Sequence, residues 1–151
     1  MKPFHLLSLV ALTAVVLFFS AGWCTAQQLA WYDSSGEPVA YVDFGQDDVI
    51  YLWDGTPVAF LGRDGRDVCI FGFNRSFLGW YENGVIYDRQ GDIVGSRKGA
   101  LMMAYNEWEP FRGFQKFAPL KPIQPFAPFK PFFSQRWSNA DLVDFLRSGE
   151  D

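Results

Sequence analysis

The sequence predicts an all-β fold: four β-hairpin repeats packed together in a ring, followed by an extended aromatic and proline-rich arm and a short C-terminal helix. Three observations predict it. Four twelve-residue segments align without a gap, each with a turn signal at its centre. Short strand-like runs are broken every eight to ten residues by Gly, Asn and Asp clusters, the signature of an all-β domain. After Gly99 the large apolar residues adopt a period of three, which belongs to neither helix nor strand.

In chain order, Lys2, the apolar run from Leu6 to Phe19 and the small residues up to Ala26 match the three zones of a secretory signal peptide. Residues 1–26 are therefore expected to be removed, with a mature chain beginning near Gln27. The apolar run is shorter than the roughly 20 residues of a spanning helix, so no integral membrane span is expected after cleavage. Cys24 would suit a lipoprotein, but Trp23 is bulky for the position before a lipidated cysteine, and ordinary cleavage is preferred. The protein is expected to be exported: periplasmic, in the outer envelope, or secreted. Cleavage also removes His5 and Cys24, leaving no histidine and Cys69 as the only cysteine. An intrachain disulfide is then excluded. Within Val68-Cys69-Ile70-Phe71 the thiol reads as a buried small hydrophobe.

The four repeats are Ala30–Tyr41, Val49–Phe60, Cys69–Trp80 and Val85–Ser96. Their third column reads Tyr32, Tyr51, Phe71, Tyr87; the tenth reads Val39, Val58, Leu78, Val94; the eleventh is always tiny, Ala40, Ala59, Gly79, Gly95. Ser35-Gly36, Asp54-Gly55 and Gln90-Gly91 supply a residue that tolerates positive φ where a tight hairpin needs one. The third copy has Asn74-Arg75 instead, which predicts a hairpin of altered turn geometry. One hairpin cannot bury its own apolar face, so the copies must pack together, and four of them suggest a closed ring. The small column has two explanations: close approach of backbones near an axis, or room beneath large neighbours.

The repeated Tyr-x-x-x-Gly-x-Pro-Val-Ala-Tyr/Phe pattern is clearest in Ile50-Tyr51-Leu52-Trp53-Asp54-Gly55-Thr56-Pro57-Val58-Ala59-Phe60. Together with Phe77-Leu78-Gly79-Trp80-Tyr81 and Gly91-Asp92-Ile93-Val94-Gly95, it resembles the bacterial four-fold beta flower domain over residues 29–97, and Trp137-Ser138 with the helix after it resembles that family's C-terminal end. The resemblance implies four hairpins about a pseudo-fourfold axis, and no established activity or catalytic residues.

The arm spans residues 98–137. Tyr105, Trp108, Phe111, Phe114, Phe117, Leu120, Ile123, Phe126, Phe129 and Phe132 fall on one register of three. From Pro119 a second register of prolines joins it, so the segment reads as polyproline II, with a third face of Lys121, Gln124, Ala127 and Lys130. Several rings left in water would forgo roughly 1.5 to 3 kcal/mol each, so the stripe is expected to cover something. Either it wraps around the flower and completes the core of a small, marginal domain, or it docks on another envelope protein. A helix is expected over residues 138–148, with Ser138 as N-cap, Asp141 as capping-box acid, Leu142, Phe145 and Leu146 on its apolar face and Gly149 as its stop.

Chemistry is mostly excluded. Without histidine there is no serine or cysteine triad and no histidine-ligated zinc, and one cysteine excludes zinc ribbons and dithiol redox motifs. No cofactor is implied. Carboxylates such as Asp47, Asp48, Asp67 and Asp88 leave a hydrolase as a remote alternative, but Asp48 and Asp67 sit where turns place ordinary acids. Asp43, Asp47 and Asp48 make a weak calcium loop. With Lys2 gone, 12 basic residues face 17 acidic ones, and no basic stripe suits nucleic acid. Two partners remain: an envelope protein meeting the stripe Phe114, Phe117, Leu120, Ile123, Phe126, Phe129 and Phe132, or a cell-wall glycan stacking on Trp31, Trp53, Trp80 and Tyr81. The preferred function is a non-catalytic exported module, with glycan binding as the alternative.

Overall fold

A computed structural model describes residues 27–102 and 104–150. The signal-peptide reading falls on residues 1–26 and lies outside the described residues. The body is an eight-stranded antiparallel barrel in which every strand pairs with its neighbours in sequence. The strands are β1 (Gln28–Tyr32), β2 (Pro38–Asp43), β3 (Val49–Leu52), β4 (Pro57–Asp64), β5 (Asp67–Gly72), β6 (Phe77–Glu82), β7 (Val85–Tyr87) and β8 (Ile93–Arg97). Closure is made by β1 against β8, through Trp31 opposite Arg97 and Tyr32 opposite Ser96. The closed ring expected from four hairpins is thus present, and with it the open edges of a stack disappear.

All four hairpins turn alike. In each, the N–H of the fourth column donates to the carbonyl of the eighth: Asp33 to Glu37 (3.0 Å), Leu52 to Thr56 (2.8 Å), Gly72 to Ser76 (2.8 Å) and Asp88 to Asp92 (2.9 Å). The seventh residue donates back to the fourth, at 2.9 to 3.1 Å. That seventh residue is Gly36, Gly55 or Gly91 at φ 87°, and in the third copy Arg75 at φ 68°. The expectation of an altered turn in the third copy is therefore corrected: Arg75 enters the left-handed region and keeps the common geometry. The register also slips at one shared place, between the second and third columns, at Trp31/Tyr32, Ile50/Tyr51, Ile70/Phe71 and Ile86/Tyr87. The tenth column is the extra residue of this bulge, which bends each strand pair and helps the sheet close.

Alternation sends the second column inward and the third outward. Trp31, Ile50, Ile70 and Ile86 fill the interior with Val42, Leu61 and Val94, while Tyr51, Phe60, Phe71 and Trp80 form a second apolar layer on the outer wall. The tiny eleventh column lies opposite the second, Ala40 facing Trp31 and Gly79 facing Ile70. A Cβ at Gly79 would strike the Tyr87 carbonyl, and one at Gly95 would lie 2.9 Å from the Tyr32 carbonyl. Each is the third-column carbonyl of the next hairpin, and at Gly95 the Leu142 side chain of the C-terminal segment comes closer still, at 2.7 Å, so close backbone approach and large neighbours together keep these positions small.

The helix α1 (Leu142–Arg147) seals the interior, with Leu142 and Leu146 fully buried among the inward residues. Its N-cap is Asp141, whose carboxylate accepts from the Val143 and Asp144 N–H groups. Ser138 is not the cap; its hydroxyl accepts from Ala140 N–H instead. The reason is that Ser138 is held to the barrel, donating its own N–H to the Ile93 carbonyl at 2.7 Å, so the chain turns into the helix only three residues later. The helix also ends earlier than expected, at Arg147.

Candidate functional site

The site is the outer surface of the arm, and its geometry follows from which of the three registers faces the barrel. In chain order, Glu109 accepts from the Tyr32 hydroxyl on β1 (3.0 Å), and Arg112 lies over Tyr41 on β2 (4.5 Å). Lys121 sits over Phe60 on β4 (5.1 Å), and Gln124 donates to the Arg63 carbonyl (2.7 Å). Lys130 pairs with Asp67 of β5 (2.8 Å) and Glu82 of β6 (3.1 Å). Phe133 then stacks on Tyr87 of β7 at 3.9 Å, and Arg136 pairs with Asp92 just before β8. Every one of these residues lies on the third register. Since β8 itself runs into the arm, the segment makes a complete circuit of the barrel.

Backbone clasps fasten it at three of the four hairpin turns. Glu107 N–H donates to the Gly36 carbonyl (2.8 Å), Lys116 to Gly55 (2.9 Å) and Ser134 to Gly91 (2.8 Å). In each case the arm carbonyl two residues earlier, that of Tyr105, Phe114 or Phe132, lies where a Cβ on the turn glycine would be. The glycines are needed for this approach as well as for φ. The third turn is met by the C-terminal end instead, where Asn74 N–H donates to Gly149 and its side chain to Ser148. Among the described residues no arm N–H is bonded to this turn, and an arginine stands in the glycine's place.

Polar register inward means apolar register outward. Tyr105, Trp108, Phe111, Phe114, Phe117, Leu120, Ile123, Phe126, Phe129 and Phe132 are all exposed, from 74% at Tyr105 to 104% at Phe111. The arm does wrap the barrel, but the expectation that its rings complete the core is overturned. The outer wall is already apolar and is finished by Ala118, Ala127 and Phe133, while the rim along the arm's path offers carbonyls and carboxylates that call for donors. With the rings turned inward, those carbonyls and carboxylates would be buried without partners, at about 1 to 3 kcal/mol each.

A family model described as 4-fold beta flower protein matches residues 29–146. The chain belongs to this family. The match runs through the arm and most of α1, further than the repeats that carry the pattern. No curated protein and no solved structure matches the chain.

In this beta flower the other candidate rings are not stacking surfaces. Trp31 is 0% exposed inside the barrel and Trp80 is 1% exposed under Phe133, so both are corrected from outward to buried. Tyr81 is half-buried against Trp31 at 5.2 Å, and half-buried Trp53 has its face taken by Arg112 at 4.6 Å. Alternation alone suggests that some rings face water, but the arm makes both faces of the sheet interior.

The flower's carboxylates serve the arm and the turns. Asp47 pairs with Lys121 (3.2 Å), and Asp88 accepts from the Gln90 and Asp92 N–H groups of its own turn. Burial opposes ionisation of Asp43, yet hydrogen bonds from Gln115, Gln28 and Gly45 N–H prevail and hold its carboxyl below the usual range. Arg136 and Ser134 likewise lower Asp92. The Asp67 hydrogen bond, aided by Glu82, raises Lys130. Burial and then the Glu109 hydrogen bond push the Tyr32 phenol up to about 12. Among the described residues no three His, Cys, Asp or Glu side chains gather as a metal site, and no helix is long and apolar enough to cross a membrane. Glu109, Arg112 and Gln115 are the clasp residues missed by reading the third face from Lys121 onward. Extending the same register upstream to Asn106 finds them.

Proposed function

We propose that this protein is a non-catalytic exported module whose girdle of apolar rings is an interaction surface, joining it to an assembly in the bacterial envelope or secreted fraction. What supports the reading is one observation: ten large apolar side chains in a single register stand almost wholly in water, on an arm whose opposite face is held to the barrel. Left uncovered, each ring forgoes roughly 1.5 to 3 kcal/mol. Contiguous apolar surface of this extent on a monomer marks a contact site. Glycan binding through Trp31, Trp53, Trp80 and Tyr81 has no such support, since two of those rings are buried and the others are half-buried against neighbours.

The reading is tested by crosslinking in the native host, comparing the natural chain with a Phe117→Ser/Phe126→Ser variant. Both rings point outward, so the variant keeps the fold. Adducts formed by the natural chain and lost in the variant are the expected result. Absence of any girdle-dependent adduct, whether with itself or with another molecule, refutes the reading.

A further inference from the structure

The spacing of the rings points to what covers them. Resting on the interaction reading above, we propose that the occupant is further copies of this chain, packed side by side with girdle against girdle.

Polyproline II advances about 3.1 Å per residue, so rings on one register recur about every 9.3 Å along the arm. Two identical stripes brought face to face and offset by half a repeat place each ring between two of its partner's. Neighbouring side chains are then offset by about 4.7 Å along the arm, which leaves room for a small lateral step within the roughly 4.5 to 7 Å at which aromatic pairs attract, while Leu120 and Ile123 add aliphatic contact. The stripe is thus complementary to itself, as a twofold contact requires.

Charge agrees with this. The outward register from Tyr105 to Phe132 carries no ionisable group other than the Tyr105 phenol, and Lys121 and Lys130 of the same arm are turned inward onto Asp47, Asp67 and Glu82. Two copies therefore meet through uncharged side chains, with the exposed Glu107, Glu109 and Lys116 of the same arm beside the contact. The contact area also indicates stoichiometry. Ten such side chains present on the order of 1,500 Å², about twice the roughly 800 Å² that one partner contributes to a standard interface. Because the arm circles the barrel, that surface faces several directions and one neighbour covers only an arc of it. The assembly therefore extends laterally beyond a dimer, each barrel in a layer touching more than one other.

Sedimentation velocity on the purified chain beginning at Gln27, run from about 1 to 100 μM, tests this. The expected result is a mass that rises with concentration past that of a dimer. In Phe126→Ser/Phe129→Ser, whose far-ultraviolet circular dichroism and melting curve stay those of the natural chain, assembly shifts to at least roughly tenfold higher concentration. Two results overturn the proposal: a natural chain monomeric throughout the range, or a variant that assembles as the natural chain does. If the natural chain is monomeric yet gives girdle-dependent adducts with a different protein in the host, or floats with lipid vesicles, self-association fails and the interaction reading stands. If it is monomeric and gives no such adduct, both fail.

Discussion

Replacing Gly55 by Asn separates two demands made on the turn glycine. Asparagine tolerates the left-handed region, so φ 87° alone costs little. The Cβ is another matter, because it would strike the carbonyl of Phe114 where the arm crosses the turn. The arm must lift, and two hydrogen bonds go with it: Lys116 N–H to Gly55 (2.9 Å) and Gly113 N–H to Trp53 (2.8 Å). At about 1 kcal/mol each, the loss comes to about 2 kcal/mol. The matching substitution in the third copy, at Arg75, puts no backbone hydrogen bond of the arm at stake among the described residues. It replaces a side chain at φ 68° with one better suited to that conformation, so Arg75→Asn is neutral or slightly stabilising. Urea unfolding followed by tryptophan emission reads both. If the two variants differ by less than about 0.5 kcal/mol, the crossing arm is not what requires glycine and the reasoning is wrong.

Three further outcomes follow from contacts already described. Leu146→Ala removes a fully buried side chain that seals the barrel and should cost about 2 to 5 kcal/mol in urea unfolding; a change of a few tenths would mean that the helix is only a surface ornament. Asp43 and Asp92 have lowered folded pKa values, so their contribution is complete above the unfolded value of about 3.9 and is lost as pH falls through the folded ones. The melting temperature should therefore drop on acidification below about pH 4, and drop less steeply in Asp92→Asn, whereas equal slopes would contradict the assignment. Burial pushes the Cys69 thiol up to about 11, so a maleimide at pH 8 should leave the folded protein unlabelled and react once urea unfolds it.

Much of the barrel is legible because its rules are local. A turn glycine at a fixed offset, a third-column ring and a tiny eleventh column recur at spacings that any repeat search finds, and Asp54-Gly55 specifies its hairpin without help from the rest of the chain. Arg75 escapes such reading. The turn it occupies is imposed by Phe71 and Phe77 packing on either side and by the bonds from Gly72 to Ser76, and context overrides the preference of one residue. The facing of the arm escapes for a different reason. A period of three defines three faces equally well, and the rule that apolar residues go inside chooses among them only when the surface beneath is apolar and uncovered. Here Tyr41, Tyr51, Phe60 and Phe71 already pack together, and what the rim lacks is donors for Asp43, Asp64 and Asp67. Trp31 and Trp80 fail as surface rings through the same circumstance, since a sheet enclosed from both sides leaves no wet face.

The circuit of the arm has a mechanical consequence. Its chain leaves β8 at Arg97, passes the turns of the first and second hairpins, and returns to β8 at Ile93, so the strands stand like staves inside a hoop whose two ends are fixed to the same stave. The arm turns every third residue outward from Tyr105 to Phe132, and a chain with three residues per turn rises about 3.1 Å per residue, already close to the roughly 3.3 to 3.6 Å limit of a fully drawn chain. Such a hoop lengthens by little more than about a tenth. The seam between β1 and β8, joined by only two residue pairs, therefore cannot gape while the hoop is seated. Opening has to begin by unseating it, clasp by clasp, so the barrel's resistance to being pulled apart resides in the segment outside its wall.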